Sequence, residues 1–161
     1  MTSGVGGPFA LIDHHGRAVT EADFAGRPAL VYFGYSFCPD ICPTTLQTMA
    51  AALDAEAARA REVRGLFITV DPERDTVAEL ADYVPLFHTD LIGLTGPEDA
   101  IGEATRGFRA YYRLRKEIDP ESYPVDHSSY VYLMDRGWRL AAVFRPDATA
   151  EEMAAALARL S

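Results

Sequence analysis

Both cysteines of the chain, Cys38 and Cys42, lie in one stretch, VYFGYSFCPDICPTTLQ (31–47), and a proline follows each. As a staple such a pair is weak: a disulfide closing a loop of about five residues contributes ~2 kcal/mol, against ~4.7 kcal/mol for a loop of about 100 residues. Closely spaced cysteines more often serve redox or metal chemistry. The spacing is C-x-x-x-C, one residue longer than the C-x-x-C of a dithiol redox motif. Two soft thiolates suit Cu(I) or Zn(II), yet two protein ligands are few for a closed site. A third ligand has to come from elsewhere in the chain.

Histidine is the first candidate, and there are four. His14 and His15 fall in a turn, where adjacent imidazoles on a strand-like segment are expected to diverge. His88 follows the apolar stripe of a helix and is expected to face its C-terminal dipole. His127, in YPVDHSSYVYLMDRG, enters a strand, and such a residue can pack against a loop leaving a neighbouring strand. A loop histidine hydrogen-bonded beside Asp126 is an equally good reading on spacing alone.

The elements that must hold these residues alternate. PFALID and AVT, separated by HHGR, read as an N-terminal β-hairpin, and TEADFAG as a helical turn with Thr20 and Asp23 at capping distance. PALVYFGY (28–35) is a continuous apolar run of strand length, the mark of a strand buried on both faces. A helix over 43–60 follows, with Pro43 as its first residue and Leu46, Met49, Ala50 and Leu53 on one stripe. That start puts Cys42 near the N-cap, where free N–H groups and the positive dipole end favour thiolate. Both sulfurs would then sit at the strand's C-terminal end, the usual ligand side of an open α/β sheet.

Strand 65–71, helix 75–87, strand 91–95 and helix 97–113 continue the pattern. A polar stretch, KEIDPESYPVDH, leads into strands SYVYLMD and WRLAAVF, and Thr149 and Glu152 sit at capping-box spacing before a last helix. This order predicts one layered α/β domain, residues 9–161, with helices covering a mixed central sheet, behind a flexible lead of residues 1–8. In VDPERDT the plain structural reading is that Asp71-Pro72 ends a strand and Asp75 or Thr76 caps the next helix. The other is that Asp71 or Arg74 orders the cysteine loop from behind. Tyr32, Phe33 and Tyr35 read as core, and Phe37 as exposed beside the loop.

Composition bounds the possibilities. At 161 residues with 48% apolar and 11% aromatic content, the chain can build one core without metal or disulfide help. A net charge of −9 excludes a nucleic-acid binder, which needs a basic face. No window approaches the 18 or so consecutive apolar residues of a membrane span, and the N-terminus has neither the basic nor the apolar region of a signal peptide.

Taken in order, YFGYSFCPDICP, VDPERDT, LIGLTG and VDHSSYVYLMDRG resemble the Sco (SenC) family of copper-binding proteins involved in assembling cytochrome c oxidase, from about Phe9 to the final helix. The resemblance implies a thioredoxin-like fold and copper bound by Cys38, Cys42 and His127. Two thiolates and an imidazole suit Cu(I) and also admit Cu(II). The implied role is a copper metallochaperone delivering metal to the copper-acceptor subunit of cytochrome c oxidase, with a thiol reductant or an upstream copper donor as further partners. It also implies a periplasmic location or one on the outer face of the cytoplasmic membrane. The family's N-terminal transmembrane helix has no counterpart here, so membrane contact is expected only through an anchor absent from this chain.

The alternative is a thiol–disulfide reductase that keeps the oxidase's copper-site cysteines reduced. General reductases of this fold carry C-x-x-C and a cis-proline before the penultimate strand, where this chain has His127-Ser128-Ser129. A peroxidase of the same fold needs P-x-x-x-T-x-x-C, which neither cysteine satisfies.

Overall fold

The computed structural model describes residues 5–37, 41–59, 62–127 and 129–160. Its centre is β3 (Ala29–Gly34), buried at all six positions. A strand so apolar cannot lie at an edge. It pairs in parallel with β4 (Arg64–Thr69) on one side and antiparallel with β8 (Val131–Met134) on the other. Outward from β4 come β5 (Leu91–Thr95), β1 (Ala10–Asp13) and β2 (Ala18–Thr20); outward from β8 comes β9 (Leu140–Phe144). The result is a seven-stranded mixed sheet in the order β2-β1-β5-β4-β3-β8-β9.

Alternation along β3 assigns the two faces. Tyr32 and Gly34 point toward α1 (Ile41–Ala57), as the contact of the Tyr32 hydroxyl with Cys42 shows. Phe33 points the other way and meets Phe108 of α3 (Glu98–Phe108) with ring centroids 5.3 Å apart. On the α1 side, β-carbon space over Gly65 is filled by Leu53 of α1 and over Gly93 by Leu80 of α2 (Val77–Tyr83). Helix α4 (Ala150–Ala158) packs on α1. Its Thr149 and Glu152 form the expected reciprocal cap, with Oγ1 accepting the Glu152 N–H and Oε1 accepting the Thr149 N–H. The N-terminal hairpin and the mixed sheet with flanking helices are as the sequence predicts.

Three boundaries depart from expectation. Helix α1 begins at Ile41, so Pro43 occupies its third position; the first N–H groups of a helix need no intrahelical partner, so the ring is tolerated there. The helix expected over 75–87 divides at Pro85, which cannot donate, into α2 and a 3₁₀ turn, Val84–Leu86. The helix expected over 97–113 stops at Phe108 because Arg109 turns left-handed, with φ 56°. The chain beyond it forms β6 (Tyr112–Leu114), paired antiparallel with β7 (Val125–His127) in a separate two-stranded sheet. Ahead of Phe9, Gly6 donates to the Gly107 carbonyl at 2.8 Å and accepts from the Trp138 indole at 2.8 Å.

Candidate metal centre

The C-terminal end of β3 and the start of α1 bring Cys42 beneath the sheet end, where its side chain is fully buried. Gly34 makes the room: a β-carbon there would stand 2.7 Å from Cys42 Sγ. The Tyr32 hydroxyl donates to that sulfur at 3.4 Å, a bond that favours a charged acceptor. His127, the last residue of β7 and half-buried, reaches the same sulfur with Nε2 at 3.5 Å across 85 residues of sequence.

Two aromatic rings orient the imidazole. Tyr35 meets it edge-on at 5.7 Å and 90°, and Tyr32 at 6.1 Å and 72°. The Tyr35 hydroxyl also accepts the Val125 N–H at 3.2 Å and so ties β7 to the end of β3. The strand that sequence reasoning missed is therefore the one that carries the imidazole to the thiol.

A metal ion ~2.3 Å from a sulfur and ~2.0 Å from an imidazole nitrogen, with an angle of about 110° between them, spans about 3.5 Å from ligand to ligand. That is the separation between Cys42 Sγ and His127 Nε2. It is equally the length of a hydrogen bond between an imidazole and a sulfur, so the two side chains are near enough for either. Cys38 lies outside the described residues. Among the described residues, no group of three or more histidine, cysteine or acidic side chains forms a metal cluster.

Beside the thiol lies a buried polar network built from β4 and the loop after it. Asp71 and Asp75 are both fully buried. Asp71 accepts from the Tyr123 hydroxyl at 2.8 Å and pairs with Arg74 Nε. The Arg74 guanidinium lies 3.7 Å from the Tyr123 ring centre and 4.9 Å from that of Phe37, which is 53% exposed, as expected for a residue flanking the cysteine loop. Burial first, and then the bond to Asp71, pushes the Tyr123 phenol well above its ordinary value. Asp75 accepts the Ser36 N–H at 2.9 Å, the Thr69 hydroxyl at 2.7 Å and the Ser36 hydroxyl. Burial raises its carboxyl pKa, and the bonds from Ser36 and Thr69 oppose that rise. The helix cap is Thr76, one of the two alternatives expected, whose hydroxyl accepts the Glu79 N–H at 3.3 Å.

The other histidines lie at the opposite end of the parallel strands. His14 and His15 do not diverge: their ring centres are 4.1 Å apart, and His14 Nδ1 accepts the Gly93 N–H at 3.1 Å. His88 faces side-chain and backbone partners rather than a helix end, with Nε2 at 2.8 Å from Asp54 and Nδ1 accepting the Asp90 N–H at 3.0 Å. All three line a cleft of about 760 Å³ shared with Arg17, Arg27 and Arg64.

Comparison with known proteins decides what this arrangement belongs to. Residues 1–161 match the SCO1/SenC family. The chain belongs to that family. It is 44% identical over 156 residues to Protein sco1 of Schizosaccharomyces pombe, covering 95% of this chain and 59% of that protein. It is 44% identical over 150 residues to Protein SenC of Rhodobacter capsulatus, covering 93% of this chain and 67% of that protein. Thus the chain spans about three-fifths to two-thirds of these SCO1/SenC relatives. The crystal structure of Arabidopsis thaliana ScoI with copper bound superposes with a TM-score of 0.90 at 38% identity, covering 96% of each chain. That likeness makes the fold thioredoxin-like.

Proposed function

We propose that this SCO1/SenC domain is a copper metallochaperone, holding copper through Cys38, Cys42 and His127 and passing it to the copper-acceptor subunit of cytochrome c oxidase. The observation that carries the reading is the 3.5 Å approach of Cys42 Sγ to His127 Nε2. Support comes from the copper held by the Arabidopsis relative and from the standing of the Sco family as cytochrome c oxidase assembly proteins. Two thiolates and one imidazole leave a coordination position open on Cu(I), so an incoming ligand attaches before an old one leaves. Such a site favours handing the metal on over keeping it.

Full burial of Cys42 bears on the rival reading. Attack on a protein disulfide needs an accessible thiolate, so Cys42 is a poor nucleophile for a bulky substrate. Copper binding itself requires the thiols reduced, which brings in a thiol reductant or an upstream copper donor as further partners. The proposed setting is the periplasm or the outer face of the cytoplasmic membrane. Among the described residues no helix is long and apolar enough to cross a membrane.

The test pairs two assays. Copper-loaded protein is mixed with an isolated oxidase copper domain whose cysteines are already reduced, and the acceptor's copper absorption is followed. Metal-free reduced protein is assayed separately on an unrelated protein disulfide. The chaperone reading expects metallation in the first and little turnover in the second. Turnover in the second with no metallation in the first would overturn it.

A further inference from the structure

We infer that Asp75 is a positioning residue for the copper site, acting by anchoring the chain where it leaves β3 for the cysteine loop. The inference rests on the copper reading above. Asp75 lies in the loop after β4, 39 residues from Ser36, and its carboxylate is bonded by Ser36 and Thr69. Ser36 stands two residues ahead of Cys38 in sequence.

The carboxylate binds Ser36 twice. One oxygen accepts its N–H at 2.9 Å and the other its hydroxyl. A bidentate hold of this kind fixes both the position and the rotation of the residue. The anchor is itself fixed: the Thr69 hydroxyl donates to the carboxylate at 2.7 Å, the Asp75 N–H donates to the Asp71 carbonyl at 2.9 Å, and the Thr95 hydroxyl donates to the Asp75 carbonyl at 2.9 Å. A helix cap needs one such bond at an exposed end. A fully buried carboxylate with this many partners opposes a desolvation cost, and what it secures is the exit of the central strand. Ligand geometry within a fraction of an ångström depends on support of this sort, and losing an outer hydrogen-bond partner of a metal site costs about 10–100-fold in affinity.

The experiment uses the whole chain as wild type, Asp75→Asn, Ser36→Ala, the control Thr105→Val, the conservative rescue Ser36→Thr, and His127→Ala. Three quantities are measured: Cu(I) retention by the reduced protein against a chromophoric Cu(I) chelator, denaturant unfolding of the metal-free protein, and hydrogen exchange at the Ser36 amide. Asp75→Asn should exchange the Ser36 amide at least tenfold faster and hold Cu(I) about 10–100-fold more weakly. Ser36→Ala should lose at least threefold in Cu(I) affinity, and Ser36→Thr should retain it. Thr105→Val removes a buried hydroxyl's bond to the Gly102 carbonyl in α3, a bond that plays no part in holding Asp75 or Ser36; whatever it changes in unfolding stability, Cu(I) affinity should stay within twofold. Should Asp75→Asn fail to fold, the contrast of Ser36→Ala with Ser36→Thr decides. Cu(I) retained within twofold by Asp75→Asn, or by Ser36→Ala where the former does not fold, overturns the inference, as does unchanged Ser36 exchange. Failure of the copper reading shows separately, as wild type holding Cu(I) no better than His127→Ala, and the exchange arm then still decides whether the anchor exists.

Discussion

The two ends of the parallel strands both carry imidazoles, and they differ in what those rings already hold. At the N-terminal end His14 and His88 each spend Nδ1 as an acceptor for a backbone N–H, and His88 spends Nε2 on Asp54. At the C-terminal end His127 turns Nε2 toward a buried sulfur. Three histidines around a cleft therefore make a poorer candidate for soft metal than one histidine beside a thiol. Ring count does not make a site; a ring nitrogen aimed at a soft donor is the better start.

The largest expected effect breaks that contrast directly. His127→Ala should weaken copper retention by more than the ~10–100-fold that loss of an outer partner costs, whereas alanine at His14, His15 or His88 should leave it within twofold. Equilibrium competition with a chelator measures both arms on folded protein. Equal losses at the two ends would dissolve the distinction.

Next in size is Gly34→Ala. Its added methyl would stand 2.7 Å from Cys42 Sγ, in a strand with no room to shift, and overpacking of this sort costs about 1–3 kcal/mol. Denaturant unfolding reads the loss, and copper retention should fall with it because the methyl displaces the sulfur. A copper affinity unchanged beside a stability loss would mean that the thiol has slack.

Tyr32→Phe should have a smaller effect. It keeps the ring and removes only the hydroxyl that donates to Cys42 Sγ at 3.4 Å. Hydrogen bonds to charged groups contribute about 1.5–3 kcal/mol at best, and a long bond to sulfur lies at or below the low end. Copper retention should fall a few-fold with the fold intact, and copper affinity equal to wild type would show that the bond does not favour thiolate.

The smallest effect concerns pH at the far end. Burial first, and then the neighbouring His15, holds the His14 imidazole below its ordinary value of 6.5. The unfolded chain therefore takes up this proton more readily than the folded one, and stability falls as pH drops below about 6.5 and through the lower folded value. His14→Gln should flatten that part of the curve, read as denaturant midpoints between about pH 7.5 and 5. A slope unchanged by the substitution would remove His14 from the account.

Much of this architecture is legible in the sequence because the strong signals are local. An uninterrupted apolar run marks β3 as central, the stripe Leu46, Met49, Leu53 marks α1, and Thr149 with Glu152 marks the start of α4. The β6–β7 pair is illegible for an equally plain reason. Tyr-Arg-Leu and Val-Asp-His are too short to show a period, and the left-handed Arg109 that separates β6 from α3 is not a glycine. The placement of His127 depends on that pair, so its position in the sequence leaves two equal readings and the family resemblance is what favours the ligand. Asp75 was hidden differently: a carboxylate just before a helix reads as a cap, and only the fold shows it turned inward to Ser36. The close approach of His14 to His15 goes with a bond from Gly93, 79 residues away, which leaves no local trace.

X-ray absorption of the Cu(I)-loaded protein tests the central claim most directly, since it separates sulfur from nitrogen neighbours of the metal. The account predicts two sulfur scatterers and one imidazole in wild type, with the imidazole contribution lost in His127→Ala. An imidazole contribution that survives the substitution, or a wild-type spectrum with sulfur alone, would contradict it.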